Sequence, residues 1–462
     1  MLGGWTRRRL PLLERGEDDG DEEEEEQDMP NGKQSTTAAW RRWSIYGLLM
    51  GDILALKIPR LSIPSMIPFI VAELGLPQSS VPALLSAFHP GYVASNLPGG
   101  PLVQRFGAKI VGLVGIAGTA VLFGLMSSVG IARTHASSLL MGLMLVMGIL
   151  QGPLSPVLMQ TNQQWIPTAT AADKVERTWS IRLQSLMHSF APALSVAITP
   201  RLASRFNWKT VCKLYAGSTF AYALLWAVAF ANSPPRALAD RTDNEPVLQK
   251  EEPKKKKAVE WGILRLPHSL TLIAYHVAFD NLETTLFQLA PTMFVEKFGL
   301  NVVQMSSFVG VAQMVHVPAG FAVSALESLL IKSHVDTLTV RRTFTCLASV
   351  LEASCAIAYA LAKTPLQAAV CYGLSDCCSQ LHGSGAWTSF MEHGGEDAAT
   401  LNSVSNTLAS LTAITTPHFG FWLRARTGSW APQLFFAAAL KILTGLAFAR
   451  TCTLTDARTQ LA

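Results

Sequence analysis

Long apolar segments separated by short polar stretches dominate the chain from Ser44 onward. Each segment is long enough to cross about 30 Å of hydrocarbon as a helix. Six of them precede a polar stretch and six follow it, and we number them spans 1 to 12: 44–70, 81–103, 110–129, 137–159, 179–202, 210–231, then 266–295, 302–330, 343–362, 365–389, 398–423 and 432–449. This pattern predicts an all-α membrane protein with twelve transmembrane helices.

Polar segments flank and divide these spans. Residues 1–40 are acidic from Glu17 to Asp28 and contain no apolar signal-peptide region, so we expect a disordered tail. Residues 232–262 include four consecutive lysines at 254–257, which is typical of a charged, flexible cytoplasmic linker. The expected organisation is the acidic tail, a six-helix bundle at 41–231, the linker, a second six-helix bundle at 263–450 and a short tail at 451–462.

Composition agrees with a lipid environment and excludes several classes of function. Only 15% of the 462 residues are charged, whereas soluble domains carry about 25%. Loop lysines and arginines account for the net charge of +5 and favour cytosolic termini, so no nucleic-acid partner is needed. The seven cysteines form no CxxC pair or Cys/His array, so we expect no metal site. Because P-loop, HExxH and GxSxG motifs are absent, we expect no enzyme, no ATP-driven pump and no cofactor.

Two basic residues in span 1 are the first candidates for chemistry inside the membrane. Burying a charge at mid-bilayer costs at least about 2.5 kcal/mol, so such residues usually face a cavity or a partner. Lys57 and Arg60 share one helix face. A guanidinium donates two parallel hydrogen bonds to an oxyanion, which makes Arg60, with Lys57, a candidate for binding an anionic substrate. The alternative is that Lys57 pairs with Asp52, or Arg60 with another carboxylate, and only sets helix packing.

Span 7 carries the complementary acidic face. His276, Asp280 and Glu283 lie at positions i, i+4 and i+7, so they share one side of the helix. In a six-plus-six repeat, span 7 is the equivalent of span 1, and the two faces would meet across a central cavity. A carboxylate there can load and release a proton, so these residues are candidates for ion coupling. The alternative is that they only neutralise Arg60.

Other polar residues within the spans are weaker candidates. His89 is a further candidate for coupling, and Gln151, Asn402 and Asn406 are candidates for hydrogen bonding to a substrate. For each of them, the simpler alternative is a packing residue that hydrogen-bonds a neighbouring helix. The remaining lone polar groups of this kind are His316 and Asp376.

The turn after span 2 resembles the signature of the major facilitator superfamily, G-x-L-x-D-R-x-G-x-K. The matching residues are Gly100, Leu102, Arg105, Gly107 and Lys109, and Gln104 stands in place of the signature's Asp. In that superfamily the loop bonds to a neighbouring helix on the cytoplasmic side and holds one state closed. The resemblance therefore implies a gating role for Arg105 and Lys109, with a weaker latch, and the alternative is that they only determine topology.

Further motifs are similar to the anion:cation symporter family, which includes sodium–phosphate cotransporters, sialin, vesicular glutamate transporters and plant plastid phosphate transporters. They lie at 72–75, 86–92, 151–153, 337–342 and 427–430. The resemblance implies two six-helix bundles that rock around a central site, and secondary transport of a small anion, either inorganic phosphate or an organic carboxylate. The carboxylates that this family uses for coupling are absent, because Pro59 and Gln151 occupy their positions.

The resemblance therefore leaves the energetics of transport open. Coupling to a proton or to sodium is the first expectation. The alternatives are an uncoupled facilitator and a transporter-like membrane protein that acts as a sensor or scaffold without transporting. The membrane itself, plasma membrane or organelle, is not indicated by the sequence.

Overall fold

Helices make up most of the backbone that the structure describes. The computed structural model describes residues 32–129, 135–165, 171–232, 261–394, 398–455 and 460. Residues 233–260 of the predicted linker and residues 1–31 of the predicted tail lie outside these residues. The first helix begins at Gly32, earlier than predicted, so the end of the tail is helical. Span 1 nucleates the helix, and the helix extends readily through the segment 32–43 because this segment contains no proline.

Eight of the twelve predicted spans are single helices, and each extends beyond its apolar run at one end or both. Their bounds are Gly32–Leu74 for span 1, Ala108–Met126 for span 3, Ala171–Phe206 for span 5, Trp208–Ala229 for span 6, Pro267–Phe298 for span 7, Thr337–Leu361 for span 9, Ala398–Thr427 for span 11 and Ala431–Thr451 for span 12.

Four spans are interrupted helices. Span 2 divides into Val81–Ser86 and Phe88–Phe106, span 4 into Ala136–Gln151 and Leu154–Trp165, span 8 into Val302–Met314 and His316–Lys332, and span 10 into Pro365–His382 and Thr388–Gly394 with a π-helical turn at Gly383–Trp387 between them. The interrupted spans are the second and fourth of each set of six. This agreement indicates an internal repeat.

Prolines explain the breaks in spans 2 and 8. Span 2 is interrupted at Ala87 and span 8 at Val315, and each break precedes a proline by three residues, Pro90 and Pro318. Proline has no N–H to donate to the carbonyl four residues earlier, and its ring displaces that turn. The same local chemistry therefore bends the two equivalent spans.

The contacts between spans follow the same repeat. Spans 3 and 6 pack together as spans 9 and 12 do, and spans 2 and 4 pair as spans 8 and 10 do. The two sets of six meet through span 5 against span 8 and span 2 against span 11, which are equivalent pairs. No β-strand occurs in the described part of the chain. The predicted fold class, two six-helix bundles of membrane-spanning helices, is confirmed.

Small residues let spans 2 and 4 touch through their backbones. A Cβ atom added at Gly91 would lie 2.1 Å from the Leu145 carbonyl oxygen, and one added at Gly148 would lie 2.0 Å from the Phe88 carbonyl oxygen. Only glycine permits this approach, as in other tightly packed membrane helices.

The outward surface of the helices is apolar. Val114, Val121, Val228 and Leu361 are exposed, and Val228 is 85% exposed. Seven helices among the described residues are long and apolar enough to cross a membrane. The other spans are less apolar partly because they carry polar and charged residues toward the interior.

Matching hydrogen bonds occur at one end of each set of six. Glu73, at the end of span 1, accepts a hydrogen bond of 2.6 Å from the indole N–H of Trp208, where span 6 begins. Glu296, at the end of span 7, accepts one of 2.9 Å from the indole N–H of Trp430, next to the start of span 12. We call these two contacts the Glu–Trp clamps. They tie the first helix of each set to the last.

Candidate functional site

A cavity of about 310 Å³ lies between the two sets of spans. Span 1 contributes Lys57 and Arg60 to its wall, and span 5 contributes His188. Spans 7 and 10 contribute Glu283 and Asp376. The predicted meeting of a basic face of span 1 with an acidic face of span 7 therefore occurs across a cavity.

A second cavity of about 380 Å³ continues from the first. Both are lined by Ser189 and Gln380, and the second extends to Glu327 near the end of span 8. The central cavity thus continues toward the end of the protein that the loop charges predict to be cytoplasmic.

Proline chemistry positions the turn of span 1 that carries the two cations. Pro59 has no N–H for the carbonyl of Ala55, and the hydroxyl of Thr219 in span 6 donates to that oxygen instead, at 3.1 Å. The hydroxyl of Ser195 in span 5 donates to the carbonyl of Ile58 at 2.9 Å. Neighbouring spans thus donate hydrogen bonds to backbone carbonyls beside Lys57 and Arg60, within a helix that stays continuous from Gly32 to Leu74.

Within the described part of the chain, Arg60 is held by aromatic rings and not by an ion pair. Its guanidinium carbon lies 4.6 Å from the ring centroid of Phe88 and 5.9 Å from that of Tyr92. Among the described residues, no carboxylate oxygen lies within 4.0 Å of the side-chain nitrogens of Arg60 or Lys57. Stacking leaves the N–H edge of a guanidinium available to an oxyanion. The pairing of Lys57 with Asp52, which was the packing alternative, is absent from the described structure.

The residues predicted to form the acidic face of span 7 do not all line the cavity. Glu283 faces the cavity, and so does Asp376, whose Oδ2 lies 3.8 Å from Nδ1 of His316. Asp280 and His276 are not among the residues that line the two cavities. Instead, Oδ1 of Asp280 lies 3.9 Å from Nε2 of His276, whose Nδ1 is 2.9 Å from the hydroxyl of Ser405 in span 11.

The remaining predicted site residues lie away from the central cavity. His89 faces a cavity of about 30 Å³ that Arg60 also lines. Gln151 donates a hydrogen bond of 3.1 Å to Thr119, which is the packing alternative for that residue. Asn402 and Asn406 lie on span 11 and line neither the central cavity nor its continuation.

The loop with the signature motif is fastened to span 6 through its backbone. The N–H of Lys109 donates to the side-chain oxygen of Asn232 at 2.7 Å, and its carbonyl accepts from the indole of Trp226 at 3.1 Å. The Arg105 guanidinium carbon lies 5.4 Å from the ring centroid of Phe106. Within the described residues, neither Arg105 nor Lys109 forms an ion pair. Their predicted role in gating stays a prediction.

An ion pair that the sequence reading missed lies deeper in the second set of spans. Lys441 in span 12 and Glu352 in span 9 are 0% and 2% exposed, and Lys441 Nζ lies 3.1 Å from Glu352 Oε2. A lone lysine and a lone glutamate inside apolar runs are the signal that could have found them, the same signal that marked Arg60. His188, which also faces the cavity, was missed as well.

Comparison with known proteins agrees with this architecture. The sequence model of the Major Facilitator Superfamily matches residues 55–417. Among curated proteins, the chain is 23% identical to "Ascorbate transporter, chloroplastic" of Arabidopsis thaliana over 411 residues, which is 87% of this chain and 73% of that protein. It is 22% identical to "Sialin" of Homo sapiens over 374 residues, 79% of this chain and 74% of that protein.

Solved structures show the same fold. A bacterial homolog to the human lysosomal transporter Spinster, in an inward-facing and unoccupied conformation, superposes with a TM-score of 0.66 at 13% identity, covering 89% of this chain and 98% of that one. A D-xylose-proton symporter superposes with a TM-score of 0.65 at 14% identity, covering 90% of this chain and 99% of that one.

These findings establish the general class of the protein. The helices are those of an integral, multi-pass membrane protein, and its relatives are solute transporters and not enzymes. The family model spans most of the two sets of six helices described above. The chain is therefore a solute transporter and belongs to the Major Facilitator Superfamily.

Proposed function

We propose that this protein is a secondary transporter that binds a small anion at Arg60 and Lys57 and moves it by alternating access. The observation that carries the proposal is that both cations line a cavity of about 310 Å³ with no carboxylate oxygen within 4.0 Å in the described structure. Leaving a charge without a partner in a low-dielectric site is costly, and an anionic ligand removes that cost. The names of the relatives, which include several probable anion transporters, support the proposal.

The cavity favours an organic carboxylate over inorganic phosphate. Its volume lies at the lower end of the range for sites that bind small organic molecules, about 300–1,000 Å³. Away from the two cations, the wall offers uncharged hydrogen-bonding groups on Gln313, Tyr372 and Ser379. A substrate with one anionic end and a polar body can bind both the two cations and these uncharged groups. Phosphate can bind only the cations.

We assign the coupling role to Glu283 among the residues that the sequence marked. It is the member of the span 7 acidic face that lines the cavity, so water can bring a proton to it. Asp280 lies outside the lining and faces His276. Protonation of Glu283 would accompany anion binding to Arg60 and would keep the loaded cavity close to neutral.

Counterflow in proteoliposomes tests the proposal. Vesicles containing the purified protein are loaded with unlabelled phosphate, ascorbate, glutamate or sialate, and the entry of the same labelled anion is measured. We expect saturable exchange of at least one organic carboxylate. Arg60→Ala should raise the half-saturating concentration at least about tenfold, the loss of one charge-assisted hydrogen bond of about 1.5–3 kcal/mol. Arg205→Ala removes an exposed arginine outside the cavity and serves as the matched control.

Each outcome of this experiment separates the proposal from an alternative. Wild-type protein that exchanges none of the anions would support a sensor or scaffold. Equal exchange by wild type and Arg60→Ala would remove Arg60 from the site. Uptake that neither a pH gradient nor an ionophore changes would indicate a facilitator, and Glu283→Gln should move a coupled carrier toward that behaviour.

A further inference from the structure

A buried ion pair lies directly behind the wall of the central cavity. The ammonium of Lys441, paired with Glu352, is covered by the rings of Tyr275 and Phe279, whose centroids each lie 4.3 Å from Nζ. Phe279 also lines the central cavity, so a single ring separates the ion pair from that space. Glu283, one helical turn further along span 7, lines the cavity as well.

The pair is incompletely satisfied for so buried a position. Glu352 Oε1 is buried and has no hydrogen-bond partner in the described structure, so one of the two carboxylate oxygens is left unpaired. Buried ion pairs add little to stability, since well-packed apolar residues often do as well. A half-satisfied pair in the interior therefore calls for a role other than stability.

We propose that the Lys441–Glu352 pair is a positioning element for proton coupling, which acts by setting the charge state of Glu283. This inference rests on the proposed function and deepens it. It also draws on the electrostatic surroundings of the pair, because Lys441 interacts with Asp280 and Glu283, and Glu352 interacts with Glu283 and Asp376. The other titratable groups that face the pair in the described structure are Tyr275 and His276 from span 7, Cys355 from span 9, and Cys378 and His382 from span 10.

The proposed cycle moves one proton. While Glu352 holds Lys441, the charge of the lysine is not available to Glu283, and Glu283 takes a proton from the cavity to become a neutral carboxylic acid. When Glu283 gives that proton to the opposite side, its carboxylate competes with Glu352 for the same ammonium. Span 7 is then drawn toward span 12 in one charge state and released in the other.

Charge-changing variants of the pair test this inference through the pH of half-maximal uptake. Uptake driven by a pH gradient is measured across a pH series and normalised to the counterflow of the same variant, which reports folded carrier. Glu352→Gln frees Lys441 to hold Glu283 ionised, so we expect the midpoint to move about one pH unit to the acid side. Lys441→Met leaves a carboxylate without its cation, so we expect a similar shift to the alkaline side.

The double variant and a conservative variant complete the experiment. Lys441→Met with Glu352→Gln removes both charges and should return the midpoint to within about 0.3 pH unit of wild type, as should Lys441→Arg. Shifts of both single variants in one direction, or no shift in Glu352→Gln, would overturn the inference. So would loss of counterflow in every variant including Lys441→Arg, because the pair would then be structural. Wild-type protein without any anion exchange would contradict the proposed anion transport itself. Exchange without pH-driven uptake would contradict this inference and the coupling role of Glu283, and anion binding at Arg60 would still stand.

Discussion

The two Glu–Trp clamps lead to a quantitative prediction about stability. Trp208 is 1% exposed and Trp430 is 5% exposed. Each indole N–H therefore has little access to water and depends on its glutamate as the hydrogen-bond acceptor. Replacing Glu73 or Glu296 with alanine removes the acceptor and strands that donor. The two clamps occupy equivalent positions in the repeat, so the two substitutions should lower the free energy of unfolding by similar amounts.

The size of the loss follows from burial. A stranded buried donor costs about 1–3 kcal/mol. The ion pairs lost at the same time, Glu73 with Lys209 at 2.6 Å and Glu296 with Arg424 at 3.3 Å, are each about one-third exposed and add at most about 1 kcal/mol. We therefore expect a destabilisation of about 2 kcal/mol for each variant. At an unfolding entropy of about 2.1 cal/mol/K per residue, a chain of 462 residues shifts by about 1 °C per kcal/mol, so the apparent unfolding temperature should fall by about 2 °C.

Thermal unfolding of the purified protein in detergent measures this loss, and a double-mutant cycle identifies its cause. In a Trp208→Phe background no donor remains to be stranded, so Glu73→Ala should cost less than about 1 kcal/mol. Glu73→Gln keeps a hydrogen-bond acceptor, so its unfolding temperature should lie between those of wild type and Glu73→Ala. An equal cost of Glu73→Ala in both backgrounds would refute the reasoning, and a loss confined to one clamp would refute its equivalence to the other.

Three further predictions follow from other contacts. Arg60→Lys keeps the charge but loses the planar fork and its stacking, so the half-saturating concentration of the exchanged anion should rise about tenfold, and an unchanged value would show that charge alone suffices. Gly148→Ala puts a Cβ 2.0 Å from a backbone oxygen of span 2 and should abolish the monodisperse peak in size-exclusion chromatography, whereas Gly142→Ala, with nothing within 4 Å, should preserve it. The N–H and hydroxyl of Thr339 lower the pKa of Asp336, which caps span 9. This stabilisation exists above the pKa of the unfolded chain and disappears on acidification through the lower folded value, so the melting temperatures of Asp336→Ala and wild type should converge as pH falls below about 4, and a constant difference would contradict the cap.

The fold was predictable from the sequence because hydrocarbon imposes one strong constraint on every span. Apolar runs of sufficient length gave all twelve positions and the six-plus-six organisation. The interruptions were harder to predict, although Pro90 and Pro318 signal two of them. The early start at Gly32 was missed because hydropathy reports contact with lipid and not the end of a helix.

The residues of the candidate site were predictable only where burying the side chain costs a large amount of free energy. Lys57, Arg60 and Glu283 stood out because a charge in the membrane needs a reason, and all three line the cavity. Gln151 and Asn402 carried no such information, because a neutral amide is satisfied equally well by a neighbouring helix or by a substrate. The spacing of His276, Asp280 and Glu283 identified the acidic face, but it did not show which of these residues points inward, since that depends on the rotation of span 7.

The distribution of charge around the cavity bears on the direction of coupling. Arg60 and Lys57 carry the positive charge on one wall, and Glu283 and Asp376 carry the negative charge on the other. An anion that binds the first wall neutralises part of that positive charge and leaves the carboxylates in excess. A proton on Glu283 removes that excess. The bound anion and the proton therefore each lower the free-energy cost of burying the other in the same low-dielectric cavity. Such mutual stabilisation couples movement in the same direction, and we therefore expect a proton symporter and not an exchanger of anions for protons.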